Sequence, residues 1–520
     1  MSLGPSPLIG VEPIIVAAID FMEKSARKQW LIAKGMVVSL ALATAFLFPI
    51  WRHLLFSQAE FHHVRPSMVD FEAAGILLGL VSVAFTAVFT AMRRLPWSWR
   101  RRTVFAFCMA ILLLGPVNDF RLLLGDVLPT TIARSYLFIG FPWMACLLVV
   151  IVGKLSYRRL CRLLLIGTPF AVLVICKIGL AMVKVPAGES RVSAHYSGPL
   201  KGLTNRVVWI IFDELDYRIG FQERPPGVEM PNFDALVATS YRFTNATAPA
   251  NQTLLSVPSL LDGVLYTNAF PAGPAHLRLR RLDGMLSQWG AEPNVFTDTK
   301  DLGGKSAVTG WYFPYTRIFG PSVEHSKWYG FSTQSFIGQG LPLFATVKLQ
   351  FLNAIPYVRK LLHGFSLDGV ATEAFRMLGD PSYDFCFVHL PAPHLPVITG
   401  PDRKSTVLGL FSDPRAYLHN LAVADSVLGR CLYVLQRTPA GSRTTLIVSS
   451  DHPWRISEKY DGKSDPRVPF LIRFPGQKTG SDIGKAFQTV RTRDIVREVL
   501  SSRELTGAES ILTFQGGNFR

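Results

Sequence analysis

The sequence predicts a membrane-embedded bundle of about five α-helices, followed by an α/β domain whose mostly parallel central sheet is covered by helices on both faces. The chain has 520 residues, more than one ordinary domain contains. Its apolar residues, 49% of the total, are concentrated in the first third. Beyond residue 205, continuous apolar runs of strand length alternate with helical patterns, which is typical of parallel sheets buried on both faces. We therefore expect a transmembrane domain (1–184), a linker (185–204) and an extracytoplasmic domain (205–520).

The transmembrane prediction rests on length, because about 20 apolar residues are needed to cross a bilayer. Asn118, Asp119 and Arg121 interrupt the third candidate near its end. The five candidate spans are residues 31–51, 73–92, 103–124, 135–153 and 163–183.

The basic residues of this region predict its orientation. Lysines and arginines cluster before the first span (24–28), between the second and third (93–102), and between the fourth and fifth (154–162). The positive-inside rule places these segments in the cytoplasm. Five spans that start inside then place the C-terminal domain on the periplasmic or extracellular side of the inner or plasma membrane. The Pro-, Gly- and Ser-containing segment 185–204 is typical of a linker.

The net charge of +17 does not indicate a nucleic-acid partner. The basic residues form neither a single stripe nor a known nucleic-acid motif. Many flank apolar segments, where anionic lipid headgroups and membrane topology explain them. Only Cys386 and Cys431 lie in the soluble part. We expect Cys386, in an apolar run, to be a buried thiol, with a disulfide between the two as the alternative.

Within the soluble domain we assign strands and helices from their apolar patterns. The predicted strands are 207–212, 294–297, 384–390, 445–449 and 469–474. The predicted helices are 232–238, 254–261, 280–289, 415–436 and 491–500. In open parallel sheets the ligand site lies beyond the carboxyl ends of the strands.

Acidic residues and a histidine follow two of these strands directly. Asp213 and Glu214 end the segment RVVWIIFDE, and Asp451 and His452 end TLIVSSDH. Carboxylate and imidazole are ligands that suit zinc, and manganese less strongly. These residues therefore indicate a divalent-metal site. A helix cap or a surface carboxylate is the alternative for the first pair, and which of its two acids would bind the metal stays open.

Thr253 precedes an apolar run of helical character, where an N-cap is the ordinary role for threonine. An N-cap role is compatible with a role as nucleophile, because a helix N-terminus also favours an anionic phosphoryl group. A metal beside the hydroxyl would make it a nucleophile. Thr253 is therefore the candidate catalytic residue.

Three further residues are candidates for substrate binding. His389 and His394 lie in the segment HLPAPHLP, whose prolines stiffen the loop. His394 could hydrogen-bond a phosphoryl oxygen or protonate a leaving group, and a structural role for one of the two histidines is the alternative. Lys463 could neutralise phosphate charge, or simply be solvated.

Taken together, these segments resemble the alkaline phosphatase superfamily in its sulfatase-like branch, over residues 205–500. The specific part is the order and spacing of the motifs: FDE, TLLSVPSLLDG, HLPAPHLP, SDH and RVPFLIRFPG. The resemblance implies that Asp213 or Glu214, Thr253, Asp451 and His452 bind one divalent metal ion, zinc or manganese. It also implies a phospho-threonine intermediate on Thr253.

Five spans followed by an outside catalytic domain resemble lipoteichoic acid synthases and lipid A phosphoethanolamine transferases. This implies that a phosphoethanolamine or phosphoglycerol unit moves from a phospholipid donor to a glycan or lipid acceptor of the cell envelope. Threonine cannot form the formylglycine of true sulfatases, which argues against sulfate ester hydrolysis. Pro453 stands where the family usually has glycine, and Asp213-Glu214 replaces a Gly-Glu pair. A phosphodiesterase or phosphatase, or an inactive glycan-binding domain, is the alternative.

Overall fold

The computed structural model describes residues 12–56, 61–62, 64–94, 165, 167–184, 202–330, 341–353, 363–395 and 414–502. These residues fall into a helical unit and an α/β unit. The helices are α1 (Glu12–Phe56), α2 (Met68–Arg94), α3 (Thr168–Lys184), α4 (Pro231–Val237), α5 (Thr253–Asp262), α6 (Val295–Asp301), α7 (Tyr315–Phe319), α8 (Leu343–Asn353), α9 (His363–Gly379), α10 (Pro414–Arg437), α11 (Glu458–Asp461) and α12 (Thr492–Ser501).

The strands all belong to the α/β unit. They are β1 (Arg206–Phe212), β2 (Tyr241–Phe243), β3 (Ala246–Thr247), β4 (Tyr266–Pro271), β5 (Leu277–Arg281), β6 (Leu286–Gln288), β7 (Ser306–Trp311), β8 (His325–Tyr329), β9 (Phe385–Leu390), β10 (Thr444–Ser450), β11 (Phe470–Arg473), β12 (Ser481–Ile483) and β13 (Phe487–Gln488).

The helical unit contains three of the five predicted spans. They lie largely within α1, α2 and α3, of which α2 carries the one stretch among the described residues that is long and apolar enough to cross a membrane, Met68–Val88. The apolar stretches of α1 and α3, Ile32–Phe48 and Thr168–Val183, are shorter. The third and fourth predicted spans lie outside the described residues. The bundle of five spans therefore stays a prediction.

Two segments lie across the predicted domain boundary. Helix α8, from the range assigned to the soluble domain, belongs to the helical unit and packs on α2. Its buried Gln350 accepts a hydrogen bond from Trp51 Nε1 (3.2 Å) and donates one to the carbonyl of Asp70 (2.8 Å). Conversely, Phe61 and Val64 are buried in the core of the α/β unit.

The central sheet of the α/β unit has the strand order β12-β2-β11-β10-β1-β9-β7-β8. The inner strands β10, β1, β9 and β7 run parallel, as does β8. Strand β11 is antiparallel to both β10 and β2. The predicted mostly parallel sheet is thus confirmed, with an antiparallel strand near one end.

Alternate side chains of β1 enter two separate cores, which explains its continuous apolar sequence. Val207, Trp209 and Ile211 face the core formed with α5, α6 and α12. Val208, Ile210 and Phe212 face the core formed with α4, α9 and α10. Helices therefore cover both faces of the sheet, as expected for a buried parallel strand.

Two predicted elements are wrong. The predicted helix 280–289 is the hairpin of β5 and β6, which turns at Gly284 (φ 84°). The predicted strand 294–297 begins helix α6 instead. The Asn294 side chain accepts hydrogen bonds from the amides of Phe296 (3.0 Å) and Thr297 (3.2 Å), and Thr297 Oγ1 accepts one from the Asn294 amide (2.8 Å). This capping box overrides the strand-like composition.

Both cysteines of the described α/β unit are buried free thiols. Burial raises the pKa of Cys386, and it raises the pKa of Cys431 to about 12. The predicted buried thiol at Cys386 is confirmed, and the alternative disulfide is not formed.

Substituting Asn294 with alanine removes the side-chain half of the capping box, the bonds from the Phe296 and Thr297 amides, while the amide of residue 294 can still donate to Thr297 Oγ1. We expect the free energy of unfolding to fall by about 1 kcal/mol, the typical cost of losing a side-chain cap. Denaturant unfolding of the purified full chain measures this change. Asn268→Ala is the matched control, because Asn268 is exposed and, within the described part of the chain, its side chain bonds only the next amide, that of Ala269 (2.8 Å). Equal midpoints for the two variants would show that the cap does not stabilise α6.

Candidate active site

The site lies where three neighbouring parallel strands end. Asp213 follows β1, and Asp451 and His452 follow β10, whose last residue, Ser450, pairs with Phe212. His389 is the next-to-last residue of β9, on the other side of β1. The carboxyl ends of these strands meet at one edge, as predicted from the sequence.

Asp213, Asp451 and His452 form a buried cluster whose candidate ligand atoms all lie within 4.8 Å of one another. His452 Nε2 lies 3.4 Å from Asp451 Oδ2 and 3.8 Å from Asp213 Oδ1. Neither of these two carboxylate oxygens has a hydrogen-bond partner among the described residues. Buried carboxylates without partners are costly unless a cation compensates them. The two oxygens and one imidazole nitrogen therefore fit a divalent metal such as zinc or manganese.

The electrostatics of the cluster also favour a cation at this position. Burial would raise the pKa of Asp213, but His394, His389 and His452 together lower it below its ordinary value. Burial, and then repulsion from Asp213, raise the pKa of Asp451. Burial alone would lower the pKa of His452, but the charges of Asp451 and Asp213 outweigh it and raise that pKa. A bound cation would relieve the repulsion between the two carboxylates.

Thr253 lies at this cluster and is the first residue of α5. Its Oγ1 lies 3.2 Å from His452 Nε2 and 3.5 Å from Asp213 Oδ2. The N-cap is Gln252, and no side chain caps this end of the helix. The hydroxyl therefore faces the cluster instead of the helix amides, at a helix end that favours anions.

His452 is oriented by the residue that departs from the family pattern. Its Nδ1 donates to the carbonyl oxygen of Pro453 (2.9 Å), which directs Nε2 toward Asp451 and Thr253. A second hydrogen bond, from Ser450 Oγ to the His452 carbonyl (2.8 Å), fixes the backbone. The carbonyl of residue 453, which a glycine would also offer, thus gives His452 the orientation that a metal ligand needs, so proline at this position is compatible with a metal role.

Glu214 points away from the cluster, although its backbone touches it. Its amide donates to Asp451 Oδ1 (3.2 Å), and its carbonyl accepts from the Tyr417 hydroxyl (2.7 Å). The backbone adopts the left-handed conformation (φ 64°), which is unusual for a residue other than glycine. The Glu214 carboxylate accepts a charge-assisted hydrogen bond from Arg455 Nε at 2.6 Å. Of the two adjacent acids, Asp213 is the one placed to bind a metal.

Arg455 is the site residue that sequence reasoning missed. Its side chain is 44% exposed, and the charges of Asp213 and Asp451 act on it besides that of Glu214. Its Nη2 lies 3.2 Å from His394 Nε2. In the sequence, Arg455 could have been identified only from its position four residues after Asp451. Its partner Glu214, however, is 241 positions away in sequence.

The two candidate histidines differ in their surroundings. His394 is half-buried, and its Nδ1 contacts the carbonyl of Leu395. A carbonyl cannot donate and a guanidinium cannot accept, so in this arrangement Nδ1 carries the proton and Nε2 accepts from Arg455. His394 is thus connected to the candidate site by its contact with Arg455.

His389 is fully buried on β9, the strand next to the one that Asp213 follows. Its Nδ1 bonds the Tyr315 hydroxyl (2.9 Å), and its Nε2 lies 3.8 Å from Asp213 Oδ2, longer than a hydrogen bond. Gly310 makes this packing possible, because a Cβ there would lie 2.6 Å from the Tyr315 ring and 2.9 Å from His389 Cβ. Burial, then the charge of Asp213, raise the pKa of Tyr312 to about 12.

Lys463 lies in a separate charge network. Its Nζ bonds Glu223 (2.9 Å), and its amide donates to Asp461 (3.1 Å). Arg218 joins the same two acids. Among the described residues, Lys463 forms no contact with the cluster of Asp213, Asp451 and His452, so a role in substrate binding remains a prediction.

The sequence model of the sulfatase family matches residues 205–502, more than half of the chain. The chain belongs to the sulfatase family. The resemblance to the sulfatase-like branch of the alkaline phosphatase superfamily is thereby confirmed. No curated protein sequence matches this sulfatase-family chain significantly.

Several solved structures are similar to it, all with TM-scores below 0.5. The PsFucS1 sulfatase from Pseudoalteromonas sp. has 14% identity and a TM-score of 0.41, covering 58% of this chain and 69% of its own. The phosphonate monoester hydrolase of Agrobacterium radiobacter has 15% identity and a TM-score of 0.39, with coverages of 56% and 73%. The lipoteichoic acid synthase LtaP from Listeria monocytogenes has 13% identity and a TM-score of 0.40, with coverages of 59% and 77%.

The different environments of Asp213 and Glu214 predict different effects on metal binding. Asp213→Asn removes a charged candidate ligand. Loss of a residue that only orients a ligand typically lowers metal affinity by roughly 10- to 100-fold, and we expect this variant to lose more than that. Glu214→Gln keeps the amide that bonds Asp451 and should change the affinity by less than about tenfold. Metal content and competition with a chelator measure both. Loss of metal from Glu214→Gln together with its retention by Asp213→Asn would reverse the assignment.

Proposed function

We propose that this sulfatase-family protein is a membrane-anchored, metal-dependent phosphotransferase. It moves a phosphoethanolamine or phosphoglycerol unit from a phospholipid to a glycan or lipid of the cell envelope. The observation that carries this proposal is the Thr253 hydroxyl, placed at a helix N-terminus beside Asp213 and His452. The ordered motifs shared with the transferases, and the predicted membrane spans, support the choice of substrate class.

The proposed reaction has two displacements at phosphorus. In the first, Thr253 Oγ1 bonds to the donor phosphorus, the bond to the diacylglycerol oxygen breaks, and the hydroxyl proton balances the one gained by the leaving alcohol. In the second, an acceptor hydroxyl bonds to phosphorus, releases Thr253 Oγ1 and restores its proton. Both the nucleophile and the leaving group are oxygens, so no redox partner is needed.

In this proposal, different residues of the site bind the metal and stabilise the phosphoryl group. Asp213, Asp451 and His452 would hold the metal, zinc or manganese, with Thr253 at its edge. When bound, such an ion lowers the pKa of a nearby hydroxyl and neutralises charge on the phosphoryl oxygens. The α5 N-terminus adds the partial positive charge of its amides.

Arg455 supplies the cation for the phosphoryl oxygens in this proposal. Glu214 and His394 hold its Nε and Nη2, while nearly half of the side chain remains exposed. A guanidinium fixed in this way, within the field of Asp213 and Asp451, is a pre-organised anion site. His394 then acts through Arg455, and a role as general acid would require Arg455 to leave its Nε2.

The covalent step is tested by the intact mass of the purified full chain. We expect the chain to gain the mass of the transferred headgroup after incubation with phosphatidylethanolamine or phosphatidylglycerol and zinc or manganese. Thr253→Ala should show no gain and lose turnover, while Thr253→Ser should retain both in part because it keeps a hydroxyl. Thr267→Ala, an exposed threonine, is the control.

Normal turnover in Thr253→Ala would exclude the mechanism. Products formed with and without a glycan or lipid acceptor distinguish transfer from hydrolysis. If headgroup phosphate is released to water at the same rate in both cases, the protein is a hydrolase that uses the same nucleophile.

Arg455→Gln should lower kcat/KM by about 100-fold, the typical cost of removing one pre-organised transition-state donor. Arg455→Lys should recover only part of this loss, because an ammonium cannot bond Glu214 and a phosphoryl oxygen in the same fork geometry. Arg497→Gln, on the exposed side of α12, is the matched control. Unchanged kinetics in Arg455→Gln, with normal metal content, would remove Arg455 from the site.

A further inference from the structure

The small sheet β4-β5-β6 has no part in the site described above. It is an antiparallel meander that follows helix α5 in the chain. Along β5 the burial alternates strictly: Leu277 and Leu279 are buried, while Arg278 and Arg280 are exposed. The leucines belong to the core of the α/β unit. The arginines therefore occupy the outer face of the meander.

The strand register shows which residues share that outer face. Arg278 pairs with Phe270 on β4, and Arg280 pairs with Leu286 on β6. Directly paired residues lie on the same face of a sheet. Phe270 is 41% exposed and Leu286 is 55% exposed. Each outward arginine is thus flanked by an exposed apolar side chain.

The turn between β5 and β6 extends this surface. Leu282 is 70% exposed and Met285 is 59% exposed, on either side of the Asp283-Gly284 turn. Four of the five large apolar side chains that are exposed in the described α/β unit lie on this one meander, the fifth being Tyr433. Such clustering is unusual for scattered surface residues and indicates an interaction site.

The charge of the meander is positive and unpaired. The segment of β4, β5, β6 and their turns contains three arginines, Arg278, Arg280 and Arg281, and one acidic residue, Asp283. The Asp283 carboxylate accepts a hydrogen bond from the Met285 amide (2.9 Å). The three guanidinium groups form no hydrogen bond or ion pair with other described residues. These guanidinium groups are therefore available to an external anion.

We propose that this meander, defined by Phe270, Arg278, Arg280, Leu282, Met285 and Leu286, docks on the surface of an anionic phospholipid bilayer. The apolar turn residues enter the headgroup region, and the arginines contact lipid phosphates. At a membrane surface, lipid phosphates lie next to the apolar acyl region, so neighbouring cationic and apolar side chains can each contact a matching group. A soluble anionic polymer would satisfy the arginines but leave the four apolar side chains in water.

The proposal does not depend on the proposed reaction, because it concerns a surface outside the active site. It is tested in the full chain reconstituted into vesicles, with a polarity-sensitive fluorophore on Met285→Cys. Cys176, which is exposed, is replaced by serine in every variant. The same background without the new cysteine gives the signal of the other native cysteines. Thr479→Cys, in an exposed turn of the same unit, is the matched control.

In vesicles containing phosphatidylglycerol, we expect the Met285 label to shift to the blue and to be quenched by nitroxide-labelled lipids. The Thr479 label should remain in water. Replacing Arg278 and Arg280 with glutamine should lower the ratio of docked to undocked label by about fivefold for each arginine. Metal content shows that these variants remain folded.

Three results would overturn the proposal. The first is a Met285 label that is as exposed to water as the Thr479 label in every membrane. The second is equal quenching in phosphatidylcholine and phosphatidylglycerol vesicles, which would remove the role of the arginines. The third is protection of the label by soluble polyphosphate in detergent but not by bilayers, which would identify a site for an anionic polymer.

Discussion

Two carboxylates, Asp213 and Asp451, are buried side by side at one edge of the sheet, and the candidate site is organised around them. Their positions follow from the pairing of β1 with β10, which places Phe212 opposite Ser450. A shift of one residue would turn every side chain of β1 to the other face, so the two apolar cores hold this register. Packing of both cores thus keeps two like charges together, and a cation at this point would offset their repulsion.

Much of the fold could be predicted because its central strands are buried on both faces. Strands β1, β9 and β10 are continuous apolar runs, and such runs are evident without knowledge of their neighbours. Strands β7 and β8 were missed because serine, threonine, histidine and lysine interrupt their apolar pattern. Helix α6 was assigned as a strand because a short apolar run fits either element. There the Asn294 capping box decided the outcome.

The hairpin of β5 and β6 shows a different limit. Leu279, Leu282 and Leu286 have the spacing of a helix face, whereas Leu277 and Leu279 alternate with arginines as in a strand. Pairing with β4 selects the strand, and no local pattern reveals that pairing. In the active site the motifs predicted which segments converge. They could not distinguish Asp213 from Glu214, because both follow the same strand and the arginine that engages one of them is 241 residues away.

Glu214 links the candidate metal-binding cluster to that arginine. The Glu214 amide bonds a carboxylate oxygen of Asp451, while the Glu214 carboxylate holds Arg455. The left-handed backbone at Glu214 is what allows its two ends to point in these different directions. Such a conformation persists only where its surroundings hold it, and here the Tyr417 hydroxyl bonds the carbonyl as well. The Glu214 backbone therefore orients a candidate metal ligand and its carboxylate positions the Arg455 guanidinium, so a change of backbone conformation at Glu214 would disturb both, whereas Glu214→Gln would act chiefly on Arg455.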